Sequence, residues 1–217
     1  MTTVLIAEDH HLVRQGIRAL LEKDGGIQVV GEAADGNAAL EQVQKLLPDV
    51  LLMDIAMPQL NGAEAVRRLA AMKLRTRVLM LSMYSDETLV RQALQSGARG
   101  YLLKQSVAGE LIQAVRTVHQ GGIFLSSKLP ASLRDACLRP EGIGETRSGF
   151  ERLTSREREV LQLVAEGNTS KAIGLKLGLS EKTIEKHRAQ LMKKLGVHDT
   201  AGMVRAAIKH RITFIDT

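Results

Sequence analysis

Five short apolar runs alternate with amphipathic stretches between residue 4 and about residue 120, and that alternation leaves few folds open. The runs are Val4-Leu5-Ile6-Ala7, Gln28-Val29-Val30, Val50-Leu51-Leu52-Met53, Val78-Leu79-Met80-Leu81 and Tyr101-Leu102-Leu103. All but the second are nearly free of polar groups, as strands buried on both faces are. Between them, helical spacing brings together Val13, Ile17, Leu20 and Leu21, then Ala39, Leu40, Val43 and Leu47, then Ala65, Val66 and Leu69. Strand and helix alternating in this way predict an α/β fold: a doubly wound, five-stranded parallel sheet covered by helices.

Polar residues stand at the C-terminal ends of these strands: Glu8 and Asp9 after the first, Asp54 after the third, Ser82 after the fourth and Lys104 after the fifth. In an open parallel sheet ordered 2-1-3-4-5, ligands bind beyond the carboxyl ends of the strands, at the switch point flanked by strands 1 and 3. Distant positions therefore converge on one crevice. Three carboxylates at one edge repel each other unless a divalent cation neutralises them, and an all-oxygen donor set favours Mg²⁺. A cation flanked by a lysine stabilises charge on a phosphoryl group while a carboxylate attacks in line. Asp54 is the expected nucleophile. His10 and His11 are not expected to bind metal, since both open the first helix and no further ligand cluster lies near them in sequence.

Glu8-Asp9, Asp54 followed by Met57-Pro58 and Gly62, Ser82, Tyr101, and Lys104 fifty positions past the aspartate together resemble a CheY-type receiver domain. The resemblance implies that Asp54 is the phosphorylation site. It assigns Glu8, Asp9, Asp54 and the main-chain carbonyl of Ala56 to Mg²⁺, and makes Lys104 the phosphate counter-ion. It also implies that Ser82 and Tyr101 form a switch pair, the Ser82 hydroxyl turning to the phosphate and Tyr101 following into the vacated space.

Residues 129–150 have poor periodicity and include Pro130, Pro140, Gly142, Gly144 and Gly149, which is linker chemistry. The expected division is a receiver at 1–121, a linker at 122–149 whose early part can prolong the receiver, and a second domain at 150–217. Cys137, the single cysteine, excludes an intrachain disulfide and is read as incidental. No apolar run approaches the roughly 20 residues that span a bilayer, and acid arrives too early at the start for a signal peptide. A cytoplasmic protein without membrane contact is expected.

Charge divides unevenly. Residues 1–121 balance 13 Lys/Arg against 13 Asp/Glu, whereas residues 151–217 carry 13 against 8, so the net +6 resides mostly in the last third. A polyanionic partner would suit that domain. Thr154-Ser155-Arg156-Glu157 fits a capping box opening a helix to about Ala165, with Val160, Leu161 and Val164 inward. A second helix, Ser170 to Leu177, buries Ile173 and Leu177 and ends at Gly178, where positive φ is expected. Ser180 caps a third, with Leu179 and Ile184 as hydrophobic staple and Ile184, Leu191 and Leu195 on one stripe. This predicts an all-α helix-turn-helix domain whose third helix offers Lys182, Thr183, Glu185, Lys186, Arg188 and Ala189 to the major groove.

The strings Leu153-Thr154-Ser155-Arg156-Glu157-Arg158-Glu159-Val160-Leu161, Leu179-Ser180-Glu181-Lys182-Thr183-Ile184-Glu185-Lys186-His187-Arg188 and Lys194-Leu195-Gly196-Val197 resemble the LuxR/NarL type of domain. The two resemblances together cover almost the whole chain. They imply a two-component response regulator, not an enzyme acting on an external substrate, that takes phosphate from a sensor histidine kinase and binds double-stranded promoter DNA as a homodimer. By analogy the last helix, about Thr200 to His210, supplies the dimer contact through Met203, Ala206 and Ala207. Where relatives often have Asn-Lys-Glu-Ile-Ala, this chain has Ser170-Lys171-Ala172-Ile173-Gly174, and Gly174 costs about 1 kcal/mol of helix propensity. The alternative at this point is a phosphorylation-independent transcription factor whose receiver serves as a dimerisation module.

Overall fold

The computed structural model describes residues 1–138, 150 and 152–213. The chain forms two compact units, Met1–Ile143 and Gly144–Thr217. In the first, strands β1 (Thr2–Ala7), β2 (Ile27–Ala33), β3 (Val50–Asp54), β4 (Arg77–Ser82), β5 (Gly100–Leu103) and β6 (Phe124–Leu125) form one parallel sheet, ordered β2-β1-β3-β4-β5-β6. The five expected strands and their order stand. The sixth was not expected, because two residues are too few to show a period. It pairs Phe124 and Leu125 with Gly100 and Tyr101.

Helices α1 (His11–Glu22), α2 (Gly36–Leu46), α3 (Gly62–Ala71), α4 (Glu87–Gln95) and α5 (Val107–His119) link the strands and cover the sheet. Val4, Ile6, Val50, Leu52, Leu79, Leu81 and Leu102 pack against Ile17 and Leu21 of α1 and Leu111, Val115 and Val118 of α5. Two members of the expected stripes lie outside the core. Val13 is 37% exposed, and Leu47 sits past the end of α2 in the left-handed region, with φ 46°. Of the stretch assigned to the linker, residues 122–138 carry β6 and helix α6 (Ala131–Leu138), while 139–149 lie outside the described residues.

The second unit contains α7 (Ser155–Ala165), α8 (Ser170–Leu177), α9 (Glu181–Leu195) and α10 (Thr200–Lys209). Its core joins Leu153, Val160, Leu161, Leu163, Val164, Ile173, Ile184, Leu191, Met203 and Ala207. The expected caps form, Thr154 and Ser180 accepting from the amides of Glu157 and Thr183, and Thr169, not expected as a cap, accepts from the amide of Ala172. Helix α8 is thus capped without the Glu that relatives carry, and it ends at Gly178 with φ 65°. Gly174 has a packing reason. The Leu179 amide donates to its carbonyl at 2.9 Å, and a Cβ at position 174 would stand only 2.6 Å from the Leu179 carbonyl oxygen. The turn between α8 and α9 folds back onto that bare backbone.

One expectation is overturned. Met203 and Ala207 are wholly buried within the core of their own unit, so neither is available to a second copy. The turns of α10 that face solvent carry Ala201, Arg205 and Lys209 instead.

Glu157 ties the start of α7 to the end of α9. Its Oε2 accepts from the Thr154 amide at 2.8 Å and from Lys194 Nζ at 2.6 Å. Burial alone would raise its pKa, but Lys194 and Thr154 outweigh that and hold it below the usual carboxylate range. A carboxyl depressed in the fold contributes stability that is present at neutral pH and lost as pH falls through its folded value. Glu157→Gln is expected to cost this unit about 1–2 kcal/mol at pH 7. Urea titrations at descending pH should show the gap to wild type closing as pH approaches 4 and below.

Candidate functional site

The parallel register brings the ends of β1, β3, β4 and β5 level. Ala7 lies opposite Met53, Asp54 opposite Leu81 and Ser82 opposite Leu103, so Glu8, Asp54, Ser82 and Lys104 all reach the C-terminal edge. Asp54 and Ser82 are the last residues of their strands, one position further in than expected. Lys104 Nζ lies 2.9 Å from Asp54 Oδ2 and 2.7 Å from Glu8 Oε2. The Ala56 amide donates to Asp54 Oδ1 at 3.3 Å. Glu8 and Asp54 are buried and Asp9 is partly exposed.

Ligand atoms of Glu8, Asp9, Asp54 and His10 all lie within 4.8 Å of one another. His10, which sequence gave no reason to include, precedes α1 and places Nδ1 2.9 Å from Asp9 Oδ1 and 3.3 Å from Glu8 Oε1. Glu8 and Asp9 adjoin His10 in sequence, and the fold adds Asp54 to the group.

Electrostatics at this edge are unbalanced. Burial first, and then the charge of Glu8, push the Asp54 carboxyl up to about 6, against the opposing pull of Lys104 and the Ala56 amide. Burial works to lower the Lys104 pKa, but Asp54 and Glu8 outweigh it and raise the value, so the ammonium stays charged. Gly62, which opens α3, is required by a close approach: its amide donates to the Ile55 carbonyl at 3.2 Å, and a Cβ would meet the Asp54 carbonyl oxygen at 2.2 Å.

Ser82 and Tyr101 meet at the main chain of Tyr84. The Ser82 hydroxyl oxygen accepts from the Tyr84 amide at 3.0 Å, and the Tyr101 hydroxyl donates to the Tyr84 carbonyl at 2.8 Å. Tyr101 is already fully buried, which raises its hydroxyl pKa. The inward swing expected of it is therefore not a movement away from this conformation. Tyr84 contributes through its peptide groups, for which a sequence carries no signal.

In the second unit all six residues expected to face DNA lie on α9. Lys182, Glu185, Lys186 and Ala189 are exposed. Thr183 and Arg188 are half-buried and engaged: the Thr183 hydroxyl lies 2.8 Å from that of Ser180, and Arg188 Nη2 donates to Thr200 Oγ1 at 2.7 Å.

Residues 4–116 match the family described as the response regulator receiver domain, and residues 151–207 match bacterial regulatory proteins of the luxR family. The chain belongs to the LuxR-type response regulators. This regulator is 39% identical to the transcriptional regulatory protein DegU of Brevibacillus brevis, over 95% of the chain and 93% of that protein. It is 34% identical to the response regulator UvrY of Escherichia coli K12, over 100% of the chain and 98% of that protein. Among solved structures it is similar to RcsB of Salmonella enterica serovar Typhimurium bound to promoter rprA with phosphomimetic BeF3-. There the TM-score is 0.58 and the identity 28%, over 94% of this chain and 96% of that one.

The charge balance at Asp54 yields a prediction. In cation-free buffer the Asp54 carboxyl should titrate near 6 by ¹³C NMR. Lys104→Met removes the opposing ammonium and should move the midpoint higher, whereas Glu8→Gln should move it lower.

Proposed function

We propose that this response regulator accepts a phosphoryl group on Asp54 from a sensor histidine kinase and thereby controls promoter binding by α9. The observation that carries the reading is the buried Asp54–Lys104–Glu8 group at the C-terminal edge of the sheet. At pH 7, above its raised pKa of about 6, Asp54 is mostly ionised and nucleophilic. A carboxylate oxygen attacks phosphorus as the bond to the donor nitrogen or oxygen breaks, leaving an acyl phosphate on Asp54 and the electron pair on the leaving group. Lys104 follows the new charge, donating to a phosphoryl oxygen. The Ser82 hydroxyl, an acceptor toward Tyr84, has its own proton to give to another.

A divalent cation fits the donor set. Carboxylates of Glu8, Asp9 and Asp54 lie within 4.8 Å of one another, and hard oxygen donors of this kind suit Mg²⁺. These three and the Ala56 carbonyl would hold it, and when bound it supplies neutralisation of charge on the transferring group. The chain turns over no external substrate on this reading, and it acts in the cytoplasm. Among the described residues no helix is long and apolar enough to cross a membrane.

The output half of the proposal places α9 in the major groove, where exposed Lys182 and Lys186 meet phosphates or guanine, Glu185 reaches base edges and Ala189 packs on them. Thr183 and Arg188 would join by exchanging their contacts to Ser180 and Thr200 for phosphate. Pairing of two copies on two half-sites accounts for the dimer. RcsB bound to a promoter supports the DNA-binding half, and RcsB dimers bound to DNA support the pairing.

Acetyl phosphate with Mg²⁺ should label the protein once, as read by intact mass. Asp54→Asn or removal of divalent cations should abolish the label, and a label that survives Asp54→Asn overturns the site. Separately, Lys186→Ala should weaken retention of genomic fragments across sequences and flatten the salt dependence of log K by about 1 if it meets a phosphate. An unchanged slope with altered fragment preference would place Lys186 on a base.

A further inference from the structure

Arg14 of α1 is not part of the acidic cluster, yet two main-chain carbonyls of the cluster's loop end on it. Its side chain is only 14% exposed. Nη1 donates to the Glu8 carbonyl at 2.5 Å and lies 3.4 Å from the Asp9 carbonyl, while Nε donates to Glu32 Oε2 at 2.9 Å. Glu32 belongs to β2 and is held from its other side by Arg18 Nη1 at 2.5 Å, with its carbonyl accepting from Gln42 Nε2 at 2.5 Å. The loop that supplies two of three carboxylates is therefore hung from a guanidinium anchored on the adjacent strand.

The planarity of the peptide bond turns this tether into control of side-chain direction. The plane joining Asp9 to His10 has its carbonyl on Arg14 and its amide on Glu8, the His10 N–H donating to Glu8 Oε1 at 3.2 Å. Tilting that plane away from Arg14 swings the N–H off Glu8. The plane joining Glu8 to Asp9 is fixed by the shorter bond, and with it the direction in which Asp9 leaves the backbone.

We propose that Arg14 is the positioning residue of the divalent-cation site, orienting Glu8 and Asp9 through their main-chain carbonyls. The proposal rests on the assignment of Glu8, Asp9 and Asp54 to a cation. Arg14 touches no reacting atom. Its planar fork reaches two carbonyls and a carboxylate at once, which a lysine ammonium cannot reproduce.

The test is Mn²⁺ binding by the full chain, read from the free-ion EPR signal, with folding checked by circular dichroism in EDTA. Arg14→Gln should raise the Kd about tenfold or more, the range seen when partners that orient metal ligands are removed. Arg14→Lys, which keeps charge and one donor, should lie between, and serves as the deciding variant if Arg14→Gln does not fold. Arg18→Gln, which strips Glu32 of its other cation, should stay within about twofold. Labelling of Arg14→Gln by acetyl phosphate should be slow at low Mg²⁺ and recover when Mg²⁺ is raised about tenfold, which a general loss of structure would not allow. A folded Arg14 variant that binds Mn²⁺ as wild type does overturns the proposal. Asp54→Asn separates the two readings: if it binds as tightly as wild type, the cation assignment itself is wrong and Arg14 loses its role with it.

Discussion

A largely covered ammonium shared by two buried carboxylates is the constraint on which the receiver unit depends. Lys104 meets Asp54 and Glu8 at once, and no arrangement of the loops satisfies both unless β1, β3 and β5 end at the same level. The parallel register supplies that level, and the apolar strands supply the burial that makes the pairing strong. Charge is nonetheless left over. One lysine cannot neutralise Glu8, Asp9 and Asp54, and burial together with the charge of Glu8 raises the Asp54 pKa. Such a site does not optimise stability. It holds excess negative charge of the kind a cation can neutralise, a pattern found at functional edges.

Much of this was legible because it depends on periods of two or on unbroken apolar runs. Strands from Val4, Val50, Val78 and Tyr101 declared themselves, and the polar residues after them followed by topology alone. The caps at Thr154 and Ser180 were equally readable, since each acts on an amide three positions away. What sequence did not reveal depends on contacts between segments. Phe124 and Leu125 become a strand only because β5 offers them an edge, and Asp54 comes near His10 only once β1 and β3 are adjacent. Arg14 looked like any polar helix residue, for its partners are carbonyls, and every residue has one.

In the second unit, two of the three residues that the resemblance implied for a dimer contact serve the core instead. Met203 and Ala207 are spaced as an interface would be, but α10 uses that stripe to close its own core against α7 and α9. Small domains have too little apolar sequence to leave such a stripe outside. Gly174 was counted as a helix-propensity loss, whereas its lack of a side chain is what lets the turn before α9 approach α8. Local propensity and tertiary packing disagree there, and packing decides.

On the proposed phosphorylation of Asp54, the Tyr84 main chain is the group placed between Ser82 and Tyr101. Its amide is bonded to the Ser82 hydroxyl oxygen and its carbonyl to the Tyr101 hydroxyl, so one residue's backbone records two side chains. If Ser82 turns toward a phosphoryl oxygen far enough to leave Tyr84, the Tyr84 amide gives up that bond, while the buried Tyr101 hydroxyl still donates to the Tyr84 carbonyl. The segment obliged to adjust is then residues 83–86, between β4 and the Asp86 cap of α4, where Met83 is exposed and unhindered. A loop with one end fixed and the other released changes the entry of α4 rather than the core. On that reading the change stays with the segment leading into α4 and leaves the sheet edge in place.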